Sequence, residues 1–157
     1  MVQDPAVRTS YLAWQFSQAM GLQLEKALRP LGLNLAQQHA LVRIALTPGV
    51  SSADIARSAG ITAQSMGTAI NALIARGLIT RTPHPANRRV MRLHATAEGI
   101  RHAEQAQQAI EDVHTEVFGL LSPEEQATTH ALLRRLVGHL NPEALRLAPS
   151  DQHPDHN

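Results

Sequence analysis

The stretch from residue 51 to 96, SSADIARSAGITAQSMGTAINALIARGLITRTPHPANRRVMRLHAT, constrains the fold more than any other part of the chain. Ser51 or Ser52 caps a short helix, and Ser51 with Asp54 resembles a capping box with Asp in place of Glu. Ile55, Ala56 and Ala59 give that helix an inward face. Gly60 stands where the chain must turn through the left-handed region, which glycine enters at low steric cost. Thr62 caps a second helix, whose Met66, Ile70, Leu73 and Ile74 recur at the helical period. Gly77 ends it. Leu78 to Arg81 then reads as a strand, Thr82 to Arg89 as a polar loop with two prolines, and Val90 to Ala95 as the return strand. Two helices across a tight turn, followed by a hairpin, make a helix-turn-helix with a β-wing.

Charge follows the same boundaries. Between Ile55 and Ala97 there is no Asp or Glu, while Arg57, Arg76, Arg81, Arg88, Arg89 and Arg92 supply six positive charges. The rest of the chain holds eight Lys or Arg against thirteen acids, so the formal +1 hides a basic module beside an acidic remainder. A local basic patch is the electrostatic footprint of a polyanion partner, here double-stranded DNA. The second helix of the module shows Gln64, Ser65, Thr68 and Asn71 on its polar face. Such side chains hydrogen-bond base edges in a major groove, and a capped helix N-terminus suits phosphate. No Arg or Lys precedes Arg76 on this helix, so the expected readout is modest and partly shape-based. Arg88 and Arg89, near the hairpin tip, suit a narrow minor groove.

The flanks are helical. Residues 1–7 read as a flexible leader. Residues 8–33 form an N-terminal helix with Leu12, Phe16, Ala19, Met20, Leu24 and Leu28 at spacings of three and four, stopped by Pro30 and Gly32. Core or dimer packing accounts for Trp14 and Phe16. A further helix runs from Asn34 to Leu46, and its His39 reads first as a hydrogen-bonded, partly buried histidine. The module spans 34–96. Two closing helices occupy 97–141: one carries the stripe Ile100, Ala103, Ala106, Ile110, Val113, Val117 and Leu120, the other opens with Ser122-Pro123-Glu124-Glu125. Residues 142–157 read as a disordered tail. The expected class is mainly α with a small β-wing, a winged helix-turn-helix flanked by N- and C-terminal dimerisation helices. The long apolar stripes imply a homodimer, because one chain leaves them partly exposed.

With no cysteine, thiolate metal sites, disulfides and thiol sensing are excluded. Nine scattered histidines form no ligand cluster, and neither metal nor cofactor is expected. No apolar run reaches membrane-spanning length, and the opening residues do not form a signal peptide, so a cytoplasmic protein without membrane contact is expected. No GxSxG, P-loop or HExxH motif is present, and an enzyme is not expected.

The phrase LIARGLITRTPHPANRR, with ATAEG before a long helix and LSPEEQATTHALLRRL after it, resembles the MarR family of bacterial transcription regulators over roughly Leu33 to Leu140. The resemblance implies a homodimer that presents two winged helices to a pseudo-palindromic operator, most often as a repressor released by a ligand. It implies that Gln64, Ser65 and Thr68 face the major groove, that Arg89 reaches the minor groove, and that Ser52 begins a helix touching phosphate. It also implies a small-molecule effector between reader and dimerisation helices, where Phe16, Met20, His39 and Arg43 stand as candidates. Two departures from the family pattern are Asn87, where Asp is common, and the absence of Arg near Gly67 or Thr68. These motivate the alternative of a winged-helix protein-interaction module with weak or lost DNA binding.

Overall fold

A computed structural model describes residues 4–146. Its regular elements are α1 (Thr9–Leu28), α2 (Leu35–Leu46), α3 (Ser52–Ala59), α4 (Ala63–Ala75), β1 (Ile79–Pro83), β2 (Met91–Ala95), α5 (Ala97–Phe118) and α6 (Pro123–Leu140). Short 3-10 turns stand at Pro5–Val7, Arg29–Leu31 and Pro142–Leu145. The mainly helical, winged helix-turn-helix class expected from sequence is the one observed.

The caps explain where the helices begin. Asn34 and Gln37 form a reciprocal box, with Gln37 N–H donating to Asn34 Oδ1 at 2.9 Å and Asn34 N–H to Gln37 Oε1 at 3.0 Å. Ser122 and Glu125 do the same for α6, with Pro123 in its first turn. Ser51, not Ser52, caps α3, accepting from Asp54 N–H at 3.2 Å. The Asp54 carboxylate does not close the box: it accepts the Ser51 hydroxyl at 2.6 Å and pairs with Arg57. At the far end of α4, Gly77 takes φ +70°, and Leu78 N–H reaches back to Leu73 O at 3.0 Å. That pair of features is a Schellman ending, which turns the chain directly into the wing.

β1 and β2 pair antiparallel from Ile79↔Ala95 to Pro83↔Met91. The strand therefore starts one residue later and ends two residues later than the sequence pattern suggests. Leu78 is consumed by the Schellman turn, and Pro83, lacking an N–H, is tolerated where it ends an edge strand. The wing is also joined on its other side: Gly49 N–H donates to Leu93 O at 2.8 Å and Leu93 N–H to Val50 O at 3.1 Å. The loop before α3 thus behaves as a short third strand.

The core belongs to the reader. Leu28, Leu41, Ile44, Ile55, Met66, Leu73, Leu78, Ile79 and Leu93 are fully buried, and the small Ala103 and Ala106 let α5 lie close to α2 and α1. α6 buries none of its residues, and Leu132, Leu133, Leu136, Val137 and Leu140 are exposed. Phe16 on α1 meets Phe118 on α5 edge to face, with ring centroids 5.8 Å apart.

Two terminal expectations need correction. Pro5–Val7 is a 3-10 turn capped by Asp4, and residues 1–3 of the expected leader lie outside the described residues. The tail assignment also began too early. Pro142–Leu145 forms a turn packed on α3 and α6, held by Asn141 Nδ2 donating to Arg57 O at 3.4 Å and by Arg43 donating to Arg146 O. Pro142 ends α6 without ending the packing. The remainder of the expected tail, 147–157, lies outside the described residues.

Gly99 sits in the first turn of α5, against the start of β1, where an added Cβ would overlap the Leu78 carbonyl. Gly99→Ala is expected to destabilise the fold by about 1–3 kcal/mol, the range for overpacking a rigid contact. Urea unfolding of the two proteins, read as a shift in midpoint at constant slope, checks this.

Candidate nucleic-acid interface

α4 presents one face to the core and one to solvent. Met66, Ala69, Ile70 and Leu73 are buried, whereas Gln64, Ser65, Thr68 and Asn71 are exposed. Thr62 accepts from Ser65 N–H at 3.1 Å and donates its hydroxyl to Ser65 Oγ at 2.9 Å. The Thr68 hydroxyl donates to Gln64 O at 3.1 Å. Both local bonds hold their side chains in place and leave Ser65 Oγ–H and the Thr68 lone pairs for a partner. Gly67, between them, has no atom near the position of a Cβ. The face is consequently low, neutral and able to approach a surface closely. Ser52 is half-buried at the first position of α3.

The six arginines of the acid-free run divide into two sets. Arg57 pairs with Asp54. Arg76 donates to Leu31 O at 3.0 Å and Gly32 O at 2.7 Å, tying the end of α4 to the turn after α1. Arg92 lies 3.2 Å from His84 Nε2. Arg81, Arg88 and Arg89 are exposed, and no hydrogen bond or ion pair engages their side chains among the described residues. Counting charge along the sequence therefore overstated the outward-facing patch, because Arg57 and Arg76 are used within the fold. At the hairpin tip, Asn87 Oδ1 accepts Arg89 N–H at 3.2 Å and His84 Nδ1 accepts Ala86 N–H at 3.1 Å. Asn87 thus shapes the loop beside Arg89 through the backbone.

Of the four effector candidates, His39 and Arg43 are neighbours on α2, while Phe16 and Met20 stand on α1. Phe16 packs on Phe118, and Met20 is half-buried on α1. His39 Nε2 lies 3.3 Å from Ser58 Oγ, whose own hydroxyl donates to Ile55 O at 2.9 Å. The contact joins α2 to α3. Arg43, one turn on, instead lines a 450 Å³ cavity between α2, α3, the wing and the C-terminal turn. This cavity was not foreseen, because the register of α2 against β2 and the docking of Pro142–Leu145 leave no mark on local periodicity. Among the described residues no group of His, Asp or Glu is arranged to hold a metal ion.

Comparison with known proteins places the chain. A family model described as MarR family matches residues 31–90. The HTH-type transcriptional repressor Rv2887 of Mycobacterium tuberculosis is 29% identical over 126 residues, covering 80% of this chain and 91% of that protein. A MarR-family transcriptional regulator from Rhodococcus sp. RHA1 superposes with a TM-score of 0.78 at 24% identity, over 86% of this chain and 96% of that one. Solved structures of Rv2887 include complexes with DNA and with salicylic acid. The DNA complex superposes with a TM-score of 0.69 at 27% identity, over 82% of this chain and 97% of that one. The salicylic acid complex has the same TM-score at 28% identity, over 82% and 96%. A winged helix with this reader face and these flanking helices defines a class of DNA-reading regulators. Within that class, this chain is similar to the MarR family over residues 31–90 and to a solved MarR-family regulator over 86% of its length.

Burial, and then the neighbouring Arg43 guanidinium, lower the His39 pKa from its ordinary value of 6.5. The unfolded chain therefore binds more protons than the folded one once pH falls below that value. Stability from the neutral imidazole is fully present above pH 6.5 and declines as pH falls towards the folded pKa. His39→Gln, which keeps a donor for Ser58, is expected to lose less Tm than the wild type between about pH 7.5 and pH 5. Paired thermal melts across that range check the sign.

Proposed function

We propose that the protein is a dimeric, effector-responsive transcriptional repressor that reads a pseudo-palindromic operator. It is not an enzyme, and it works in the cytoplasm. The observation that carries the reading is a division of labour. Gln64, Ser65 and Thr68 lie together on the solvent face of α4, while Arg88 and Arg89 project from the wing without an acidic partner. The helix enters the major groove as a neutral, close-fitting face, and the wing supplies charge to the adjacent minor groove. Ser52 approaches phosphate at the start of α3. Affinity then depends on the wing and the phosphates, and sequence preference on Gln64 together with DNA shape.

Dimerisation uses the arms, residues 8–33 and 97–141. Support comes from the apolar α6 side chains left open in a single chain and from a 630 Å³ groove between α5 and α6 lined by Phe118, Leu133 and Val137. A second copy covers that groove and sets the spacing of the two readers. Effector control is carried over from Rv2887, whose complexes with salicylic acid and with DNA pair the two activities in one relative.

Three measurements test this reading. Fluorescence anisotropy with operator DNA, titrated across salt beside scrambled DNA, is expected to give selective binding that weakens steeply with salt. Equal, weak binding to both DNAs instead favours the protein-interaction module. Arg89→Ala is expected to weaken operator binding about tenfold, the order of one charge-assisted contact, and to reduce the log–log salt slope by about one. Leu136→Asp is expected to yield a monomer by sedimentation and to abolish tight operator binding with the reader still folded. A dimeric L136D protein places the interface elsewhere.

A further inference from the structure

One side chain ties the end of α4 to the arm. Met66, Ala69, Ile70 and Leu73 are the buried residues of α4, and the helix packs on α2, α3 and β1. After Ile74, which is partly buried, Ala75, Arg76 and Gly77 are exposed. There the Arg76 guanidinium crosses to the turn that closes α1. Nη1 donates to Gly32 O at 2.7 Å and Nη2 to Leu31 O at 3.0 Å. These carbonyls stand at the C-terminal end of α1 and its 3-10 extension. A helix leaves acceptors unpaired at that end, and its dipole favours a cation there. Gly32 takes φ +64°, and a Cβ on it would lie 3.6 Å from Nη1, 3.7 Å from Nη2 and 3.8 Å from Cζ. The guanidinium therefore rests against the side of the turn that carries no side chain. No carboxylate pairs with Arg76 among the described residues.

Two bonds from one planar group to adjacent carbonyls fix an orientation as well as a distance. Arg76 and Gln64 stand roughly 18 Å apart along the axis of α4, at a rise of about 1.5 Å per residue. A tilt of the reader on the arm by about 10° moves Gln64 by about 3 Å relative to the Arg76 contact, close to the rise of one base pair. We propose that Arg76 is a positioning residue for DNA reading: by bridging Leu31 and Gly32 it fixes the angle of the reader on α1, and so sets the separation of the two readers in a dimer. It acts on DNA through α4 and not by contact. This rests on the dimeric, DNA-reading function above.

The test uses the full-length protein and two readouts. The chain has no native cysteine, so Ala63→Cys, at an exposed position on α4, gives each chain a single spin-label site. Double electron–electron resonance measures the distance between the two labels of a dimer without DNA. In the second readout, unlabelled wild type selects a duplex from a random library, and one base pair is inserted or removed between its half-sites. Wild type is expected to give one narrow distance and to lose about tenfold in affinity on either change of spacing. Arg76→Gln is expected to broaden the distance by roughly 3 Å and to lose less than about threefold on respacing, with the log–log salt slope of wild type on the selected duplex. Arg76→Lys keeps the charge but offers a single nitrogen, and is expected to behave as Arg76→Gln does. A wild-type distance or a wild-type spacing preference in Arg76→Gln overturns the proposal, even where its Tm falls. A salt slope lowered by about one in Arg76→Gln and restored in Arg76→Lys makes Arg76 a phosphate contact and also overturns it. Absence of an inter-label distance in wild type overturns the dimer, and absence of a selected sequence overturns DNA reading. Both of those failures are seen before Arg76 is changed.

Discussion

The junction at Thr96 holds the reader to the arm. Its hydroxyl donates to Gly77 O at 2.8 Å, its backbone N–H donates to Leu78 O at 3.0 Å, and its Oγ1 accepts Gly99 N–H at 3.0 Å. One residue thereby satisfies the carbonyls at the end of α4 and the free amide at the start of α5, where helix termini otherwise leave groups unpaired. Gly99 makes the arrangement possible because no side chain separates α5 from the Leu78 backbone. The end of α4, the start of β1 and the long helix α5 diverge from this single point. Their relative angles are consequently set by backbone geometry.

The reader was legible because its signals are local. Thr62, Gly60 and Gly77 act within three or four residues of themselves, and the alternation of Met66, Ile70 and Leu73 reports a buried face directly. Arg76 shows where such reading stops. In sequence it is one more positive charge in an acid-free run, yet its partners are the carbonyls of Leu31 and Gly32, more than forty residues away. The same limit governs the site. Gln64, Ser65, Thr68, Arg88 and Arg89 follow from exposure patterns, whereas grouping Arg43 with Phe16 and Met20 required a tertiary geometry that the spacing along α1 and α2 does not encode. Pro142 reads as a stop, and the turn after it docks through contacts with α3 that have no local sign.

Buried area is unevenly shared along the chain. The large side chains withdrawn from water run from Leu28 to Leu93, with Ala103 and Ala106 closing the layer, while α6 contributes none. Hydrophobic burial is the main favourable term in folding, so the helices and wing between Leu28 and Leu93 carry most of it. Coupling between reader and arms runs through few contacts: Arg76 at one end, the Pro142–Leu145 turn at the other, and the Thr96 pivot between.

Pairing of the Gly49–Val50 loop with Leu93 gives the hairpin a neighbour on its inner edge. Register is pinned where the hairpin leaves the body, and the residues from His84 to Val90 hang beyond it. A change in length or charge at the tip cannot slip the strands below, because slippage would have to break hydrogen bonds on two sides at once. Substitutions between His84 and Val90 are therefore independent trials, each made on an undisturbed scaffold.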